Sequence, residues 1–273
     1  MRRLVYDVGM HRGEDTEFYL RRGFNVVGVE ANPQLVEMLR EKFRSEIDSG
    51  QVTIIDKAIG SRRGSARFFM HSLSIWGTFS QAFADRNARR NDANVWEIEV
   101  ECVRFEDILR EYGVPYYLKI DIEGSEFLCL DALRDFPQRP HYVSIESCAS
   151  SPGCSFLDTL KELQKLRALG YKRFKYVDQI TIPDRKDHLT GEGESLDYIF
   201  PEFSSGPFGK DLHRPWQSYI ASTVTGLALR SIDDLCGHSG RLYGRFGTQW
   251  LRYMRTRLTS RSDHWYDLHA SLE

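Results

Sequence analysis

The chain has 273 residues, 41% of them hydrophobic and 28% charged, with 21 glycines; these are the figures of a globular protein large enough for one α/β domain and an appendage. Its 37 basic and 39 acidic residues leave a net charge of −2, which disfavours nucleic acid as the main partner. No window approaches the roughly 18 apolar residues of a membrane span, and Asp7 interrupts the apolar stretch a leader peptide would need, so a cytoplasmic location is expected.

Five cysteines (Cys102, Cys129, Cys148, Cys154 and Cys236) contain no CxxC pair and are odd in number, which reads as reduced thiols. Five residues separate Cys148 from Cys154, but no second ligand pair is spaced to complete a tetrahedral metal site.

In chain order, LVYDVG (4–9) is an apolar run entering a Gly-bearing loop, and EDTEFYLRRG (14–23) is a helix closed by Gly23. NVVGVE (25–30) is a second strand. Asn32 and Pro33 form an N-cap and first-turn pair that opens a helix to about Ile47. QVTIID (51–56) is a third strand. SRRGSARFFMH (61–71) and WEIEVECVRF (96–105) alternate like antiparallel strands, with an aperiodic segment between them. VPYYLKID (114–121) and HYVSIE (141–146) are strands, each followed by a helix, over 123–133 and 155–170. YKRFKYV (171–177) and ESLDYIF (194–200) are the last two strand candidates. Strands separated by such helices predict an α/β fold with a mostly parallel, doubly wound sheet and an inserted antiparallel hairpin. Residues 1–200 form the expected domain. Residues 201–273 read as a loop and two or three weakly amphipathic helices, a helical C-terminal extension packed on that domain.

In such sheets ligands bind beyond the carboxyl ends of the strands. The first strand ends in Asp7-Val8-Gly9-Met10-His11-Arg12-Gly13, where glycines admit backbone close to a ligand. The spacing is GxxxG, without the paired glycines that a dinucleotide pyrophosphate requires, which disfavours a nicotinamide enzyme. Glu30 ends the second strand 17 residues after Gly13, where an acid accepts hydrogen bonds from ribose hydroxyls. Asp56 ends the third, where an acid accepts from an adenine amino group.

The strings YDVGMHRGEDT, VEANP, KAIGSRRG and LKIDIEGSE, in this order between about residues 4 and 200, resemble the FkbM family of methyltransferases. The resemblance implies a Rossmann-like class I methyltransferase sheet with helices on both faces, S-adenosylmethionine as cofactor, and transfer to hydroxyls of saccharides or polyketide-type small molecules. It carries Asp7, Gly9, Gly13, Glu30, Asn32, Asp56 and Ala58 over as the cofactor shell, and Asp121 and Glu123 as the motif facing the transferred methyl. His11 and Arg12 inherit nothing. The alternatives are an RNA 2′-O-methyltransferase and a non-catalytic S-adenosylmethionine-binding protein.

Methylating an alcohol requires alignment and removal of a proton. Asp121 is placed to act as the base, to orient the acceptor or to hold the cofactor. Lys119 lies two residues earlier on the same strand face, as its charge partner or as part of the chemistry. Asp121, Glu123 and Glu146 offer oxygens that suit Mg²⁺, but a helix cap is an adequate job for Glu123 and no metal is favoured. Ser74, Trp76 and Thr78 of the aperiodic segment, with Glu146 and His213, are the candidates for acceptor contact. His71 is weighed beside them, and His141 is set aside because it begins its strand. Six arginines and no acid lie within 241–261, read as a solvated helix face or a homo-oligomer contact in preference to a site for an anionic surface.

Overall fold

The computed structural model describes residues 3–71, 95–122, 124–151, 154–213, 215–236 and 265–273. These divide into two compact units, Met1–Val143 with His188–Tyr198, and Ser144–Asp187 with Ile199–Glu273.

In the first unit β1 (Leu4–Val8) lies between β2 (Asn25–Val29) and β7 (Tyr117–Ile120), and β3 (Val52–Ile55) flanks β2. These pairings are parallel, with Asp7 opposite Gly28 and Lys119. Every residue of β7 is buried, as expected of a strand covered on both faces. Helix α1 (Glu14–Arg21) connects β1 to β2. Its Phe18 and Tyr19 are buried, and Tyr19 meets Tyr117 edge to face at 5.7 Å. Each large side chain buried this way contributes about 1.5–3 kcal/mol.

Helix α2 (Pro33–Lys42) is capped by Asn32, whose side chain accepts from the Gln34 amide. The single helix expected to Ile47 is two, because Phe43 leaves helical geometry (φ −109°, ψ 26°) before α3 (Arg44–Asp48) begins. The Phe43 ring fills the space beside Gly13, where a Cβ would come within 2.4 Å of it.

The expected hairpin is present as β5 (Gly64–His71) antiparallel to β6 (Val95–Val103), and β4 (Ala58–Ile59) adds a parallel partner to β6. Helix α4 (Phe105–Tyr112) follows. Helix α5 spans Glu126–Ala132, a shorter helix than the 123–133 expected, with Gly124 at φ +106° before it. β8 (Tyr142–Glu146) follows β7 in the sheet order and runs from the first unit into the second.

The second unit continues the order as β8-β12-β9, with β9 at Arg173–Asp178 and β12 at Tyr266–Ser271. The two pair antiparallel, Ser271 opposite Arg173 and Tyr266 opposite Asp178. The sheet is therefore mixed and has seven strands, an α/β fold. Two expectations are corrected here. Residues 266–271, read as part of a helical extension, form a strand of the main sheet. Residues 194–200, read as a main-sheet strand, instead supply β11 (Leu196–Ile199), which pairs with β10 (Lys186–Leu189) in a separate ribbon.

Helix α6 (Phe156–Ala168) begins with a capping box between Ser155 and Asp158. Helix α7 (Tyr219–Cys236) runs antiparallel to it: Arg167 stacks on Tyr219, Gly226 faces Thr159, and Arg230 bonds the Ser151 carbonyl. A Cβ on Gly226 would fall 2.2 Å from the Tyr176 hydroxyl, so the small residue sets how closely α7 approaches β9.

Candidate cofactor and active site

The loop from β1 to α1 is built on close contacts that only glycine permits. Gly9 has φ +88°, and a Cβ there would lie 1.8 Å from the Asp121 carbonyl oxygen. Gly13 opens α1 in left-handed geometry at φ +77°. The amides of this loop, expected to face a ligand, have partners within the chain. Gly9 and Met10 donate to the Val29 carbonyl at 2.9 and 3.2 Å, and Gly13 donates to Met10. His11 donates to Glu30 Oε2 at 3.0 Å, and Arg12 donates to Glu14. The loop is a fixed strut between β1 and β2 in preference to an anion cradle.

Asp7 is fully buried. Its Oδ2 accepts from the Thr16 hydroxyl at 2.7 Å and its Oδ1 from the Lys119 ammonium at 3.1 Å. Lys119 also pairs with Asp15 at 3.1 Å and donates to the Gly9 carbonyl. Burial pushes the Asp7 carboxyl up to about 6, against the lowering by Lys119. Burial also disfavours the Lys119 ammonium, but Asp7, Asp15 and Asp121 outweigh it and hold that group well above the usual lysine range.

Glu30, at the end of β2, is held by two backbone amides. His11 donates to one oxygen and Asn32 to the other, at 3.0 and 2.9 Å. Burial raises its carboxyl in spite of these bonds. Asn32 spends its own oxygen on capping α2. Asp56 is exposed and paired with Arg40 at 2.6 Å. Ala58 is buried in an apolar cluster with Phe68, Met70 and Val100, against which Ala31 packs.

Asp121 follows β7 with an exposed side chain, its amide donating to the Val8 carbonyl at 2.8 Å. Glu126 opens α5 and accepts from the Gly124 amide at 2.9 Å; burial, with a smaller repulsion from Asp121, raises its carboxyl. Asp15, Thr16 and Glu126 were not singled out from sequence. Glu126 lies inside LKIDIEGSE and Asp15 inside GEDT, so both stood in the recognised strings without a signal for their role.

Glu146 ends β8, half-buried, in the second unit. His213, exposed in the same unit, faces Asp187 at 3.3 Å. Glu123, Ser74, Trp76, Thr78 and the arginines of 241–261 lie outside the described residues, as does the side chain of His71. Among the described residues no group of three or more His, Cys, Asp or Glu converges as a metal site, and no helix is long and apolar enough to cross a membrane.

Parallel strands in the order β3-β2-β1-β7 bring acids to their carboxyl ends beside a glycine loop, the end at which open α/β sheets hold their ligands. The Methyltransferase FkbM domain matches residues 7–173, more than half of the chain, and the chain belongs to that family of methyltransferases. Membership implies S-adenosylmethionine as the methyl donor.

The chain has a low-scoring structural similarity to solved methyltransferases. Precorrin-6y C5,15-methyltransferase from Geobacter metallireducens GS-15 is 12% identical over 73% of this chain and 76% of that one, at a TM-score of 0.35. The C-terminal domain of precorrin-6Y C5,15-methyltransferase from Rhodobacter capsulatus is 14% identical over 72% and 77%, at 0.37. An rRNA methylase from Streptococcus thermophilus is 12% identical over 65% and 76%, at 0.34. No curated protein matches the chain.

Proposed function

We propose that this chain is an O-methyltransferase that carries a methyl group from S-adenosylmethionine to a hydroxyl of a saccharide or polyketide-type small molecule. The carrying observation is the exposed Asp121 carboxylate, set after β7 where the Asp121 backbone closes on Gly9.

The donor set suits a cationic nucleoside. Glu30 and Asp56 end neighbouring strands with carboxylate oxygens that accept from ribose hydroxyls and an adenine amine. Glu30 is aimed by the His11 and Asn32 amides, so it needs no reorganisation to accept. When bound, the cofactor supplies an electrophilic methyl on a sulfonium. Asp121 takes the acceptor's proton or fixes its oxygen in line. Glu123 stays with Asp121 in this reading as the second acid of the motif.

Asp7 and Lys119 are positioning residues in this reading. Their buried pair ties β1 to β7 and fixes Gly9 and Asp121 together. That use of Lys119, bonded inward to Asp7 and Asp15, weighs against the Lys/Asp arrangement of an RNA 2′-O-methyltransferase.

Calorimetric titration with S-adenosylhomocysteine, with NADH as control, tests the cofactor. Micromolar binding that weakens at least about tenfold in Glu30→Ala is expected. Preference for NADH would sink the proposal. Incorporation of labelled methyl into hydroxylated saccharides and macrolides, with and without Mg²⁺, then tests the acceptor. Labelling of RNA with no labelling of these compounds would replace this reading by the alternative.

A further inference from the structure

Helix α7 carries no charged side chain from Tyr219 to Leu229. Hydroxyls along it turn back on their own helix: Thr223 donates to the Tyr219 carbonyl at 2.8 Å, Thr225 to Ala221 at 3.0 Å and Ser231 to Leu227 at 2.8 Å. Ser222, Gly226 and Arg230, spaced at i, i+4 and i+8, are buried on one face. There Gly226 meets Tyr176 of β9, and Arg230 donates to the Ser151 carbonyl after β8.

Ile220, Val224, Ala228 and Ile232, at the same spacing, form the opposite face and are exposed, Ile220 at 75% and Val224 at 64%. A helix face turned to water ordinarily carries charge. Phe156 and Leu157, at the start of α6, are exposed as well. Helices α6 and α7 thus hold five of the ten large apolar side chains exposed among the described residues. Such a concentration marks a surface that is covered by something else.

We propose that this face of α7 packs against the same face of a second copy of the chain, the two helices antiparallel across a two-fold axis. The stripe complements itself. An axis at the level of Gly226 sets Val224 of one copy against Ala228 of the other, large against small, and Ile220 against Ile232. The two ends of the stripe also carry opposite charge. At the N-terminal end the exposed Arg167 of α6 lies over the Tyr219 ring, 4.4 Å from its centroid. At the C-terminal end Asp233 and Asp234 share the Arg230 guanidinium, at 2.8 and 2.7 Å, which leaves negative charge in excess. Antiparallel pairing brings each Arg167 toward that excess on the other copy, and it opposes the two helix dipoles. An anionic lipid surface is a poorer match. Apolar helix faces that bind one are edged by Lys and Arg, whereas acids stand at one end of this stripe.

Sedimentation velocity on the full chain from about 1 to 100 µM tests the proposal, and a dimer with a micromolar dissociation constant is expected. Val224→Glu puts a charge at the middle of the stripe, at a position the monomer tolerates because it is exposed. It should weaken the dimer at least about tenfold and leave thermal unfolding of the dilute chain unchanged. Arg167→Glu should also weaken it, and adding Asp234→Lys to that variant should restore it, a rescue that loss of folding would not show. A chain that stays monomeric throughout the range would overturn the proposal, and its flotation with phosphatidylserine vesicles would then name lipid as the occupant. A dimer that Val224→Glu leaves intact would overturn it too.

Discussion

The carbonyl oxygen of Asp121 occupies the space that a Cβ on Gly9 would take, 1.8 Å from its ideal position. Because the obstacle is backbone, no rotamer change relieves it, and φ at Gly9 is +88° besides. Gly9→Ala should therefore cost on the order of 3 kcal/mol and move Asp121, lowering kcat more than cofactor affinity. Gly50→Ala is the comparison. It has φ +73° but open space around it, and should cost about 1 kcal/mol with activity retained. Urea unfolding of the two variants separates the steric cost from the conformational one; equal losses would count against the contact.

Lys119 neutralises two buried acids, Asp7 and Asp15. Lys119→Met leaves both without it, and a loss of about 3–5 kcal/mol is expected. Thr16→Val removes one hydrogen bond to Asp7 and should cost about 1–2 kcal/mol. If Lys119→Met cost no more than Thr16→Val in denaturant titrations, the pair would not be what joins β1 to β7.

Glu30 and Asp56 differ in how firmly they are held. Glu30 accepts from two backbone amides, whereas Asp56 is exposed and shared with Arg40. Glu30→Gln should weaken S-adenosylhomocysteine by at least about tenfold, and Asp56→Asn by only about threefold, since an exposed acceptor competes with water. Calorimetry reads both, and the reverse order would remove Glu30 from the ribose.

His269 lies wholly inside the second unit opposite Lys175, and neither ring nitrogen has a partner among the described residues. Burial, with repulsion from Lys175, lowers its imidazole to about 3. Between the ordinary value near 6.5 and this one, the unfolded chain binds a proton that the folded chain refuses. The residue's contribution is therefore present above about pH 6.5 and is lost as pH falls toward 3, by about 1.4 kcal/mol per pH unit. His269→Phe should flatten the acid side of the stability profile between pH 6 and 4. An unchanged slope would mean that the ring finds a proton acceptor when it ionises.

The strands β1, β2, β3, β7, β8 and β9 were legible because each is an apolar run ended by a turn or capping residue. β12 was not. Leu268 and Ala270 point to one face and Asp267, His269 and Ser271 to the other, and all are buried, so polar residues lie where the pattern predicts solvent. The acids of the candidate site were legible as strand-end residues. The direction of each carboxylate was not: Asp7 turns inward to Lys119 and Thr16, and Asp56 outward to Arg40. That choice depends on partners contributed by α1, α2 and β7, which strand spacing does not encode.

Strand β12 sits between β8 and β9, and the Tyr266 amide reaches a Ser150 side chain 116 residues away along the chain. During synthesis β9 is complete long before its partner leaves the ribosome. It must wait with a row of backbone donors and acceptors open to any passing strand. This protein therefore depends on holding that edge harmless in the nascent chain, and versions cut short before residue 266 should be recovered as aggregates in place of folded monomers.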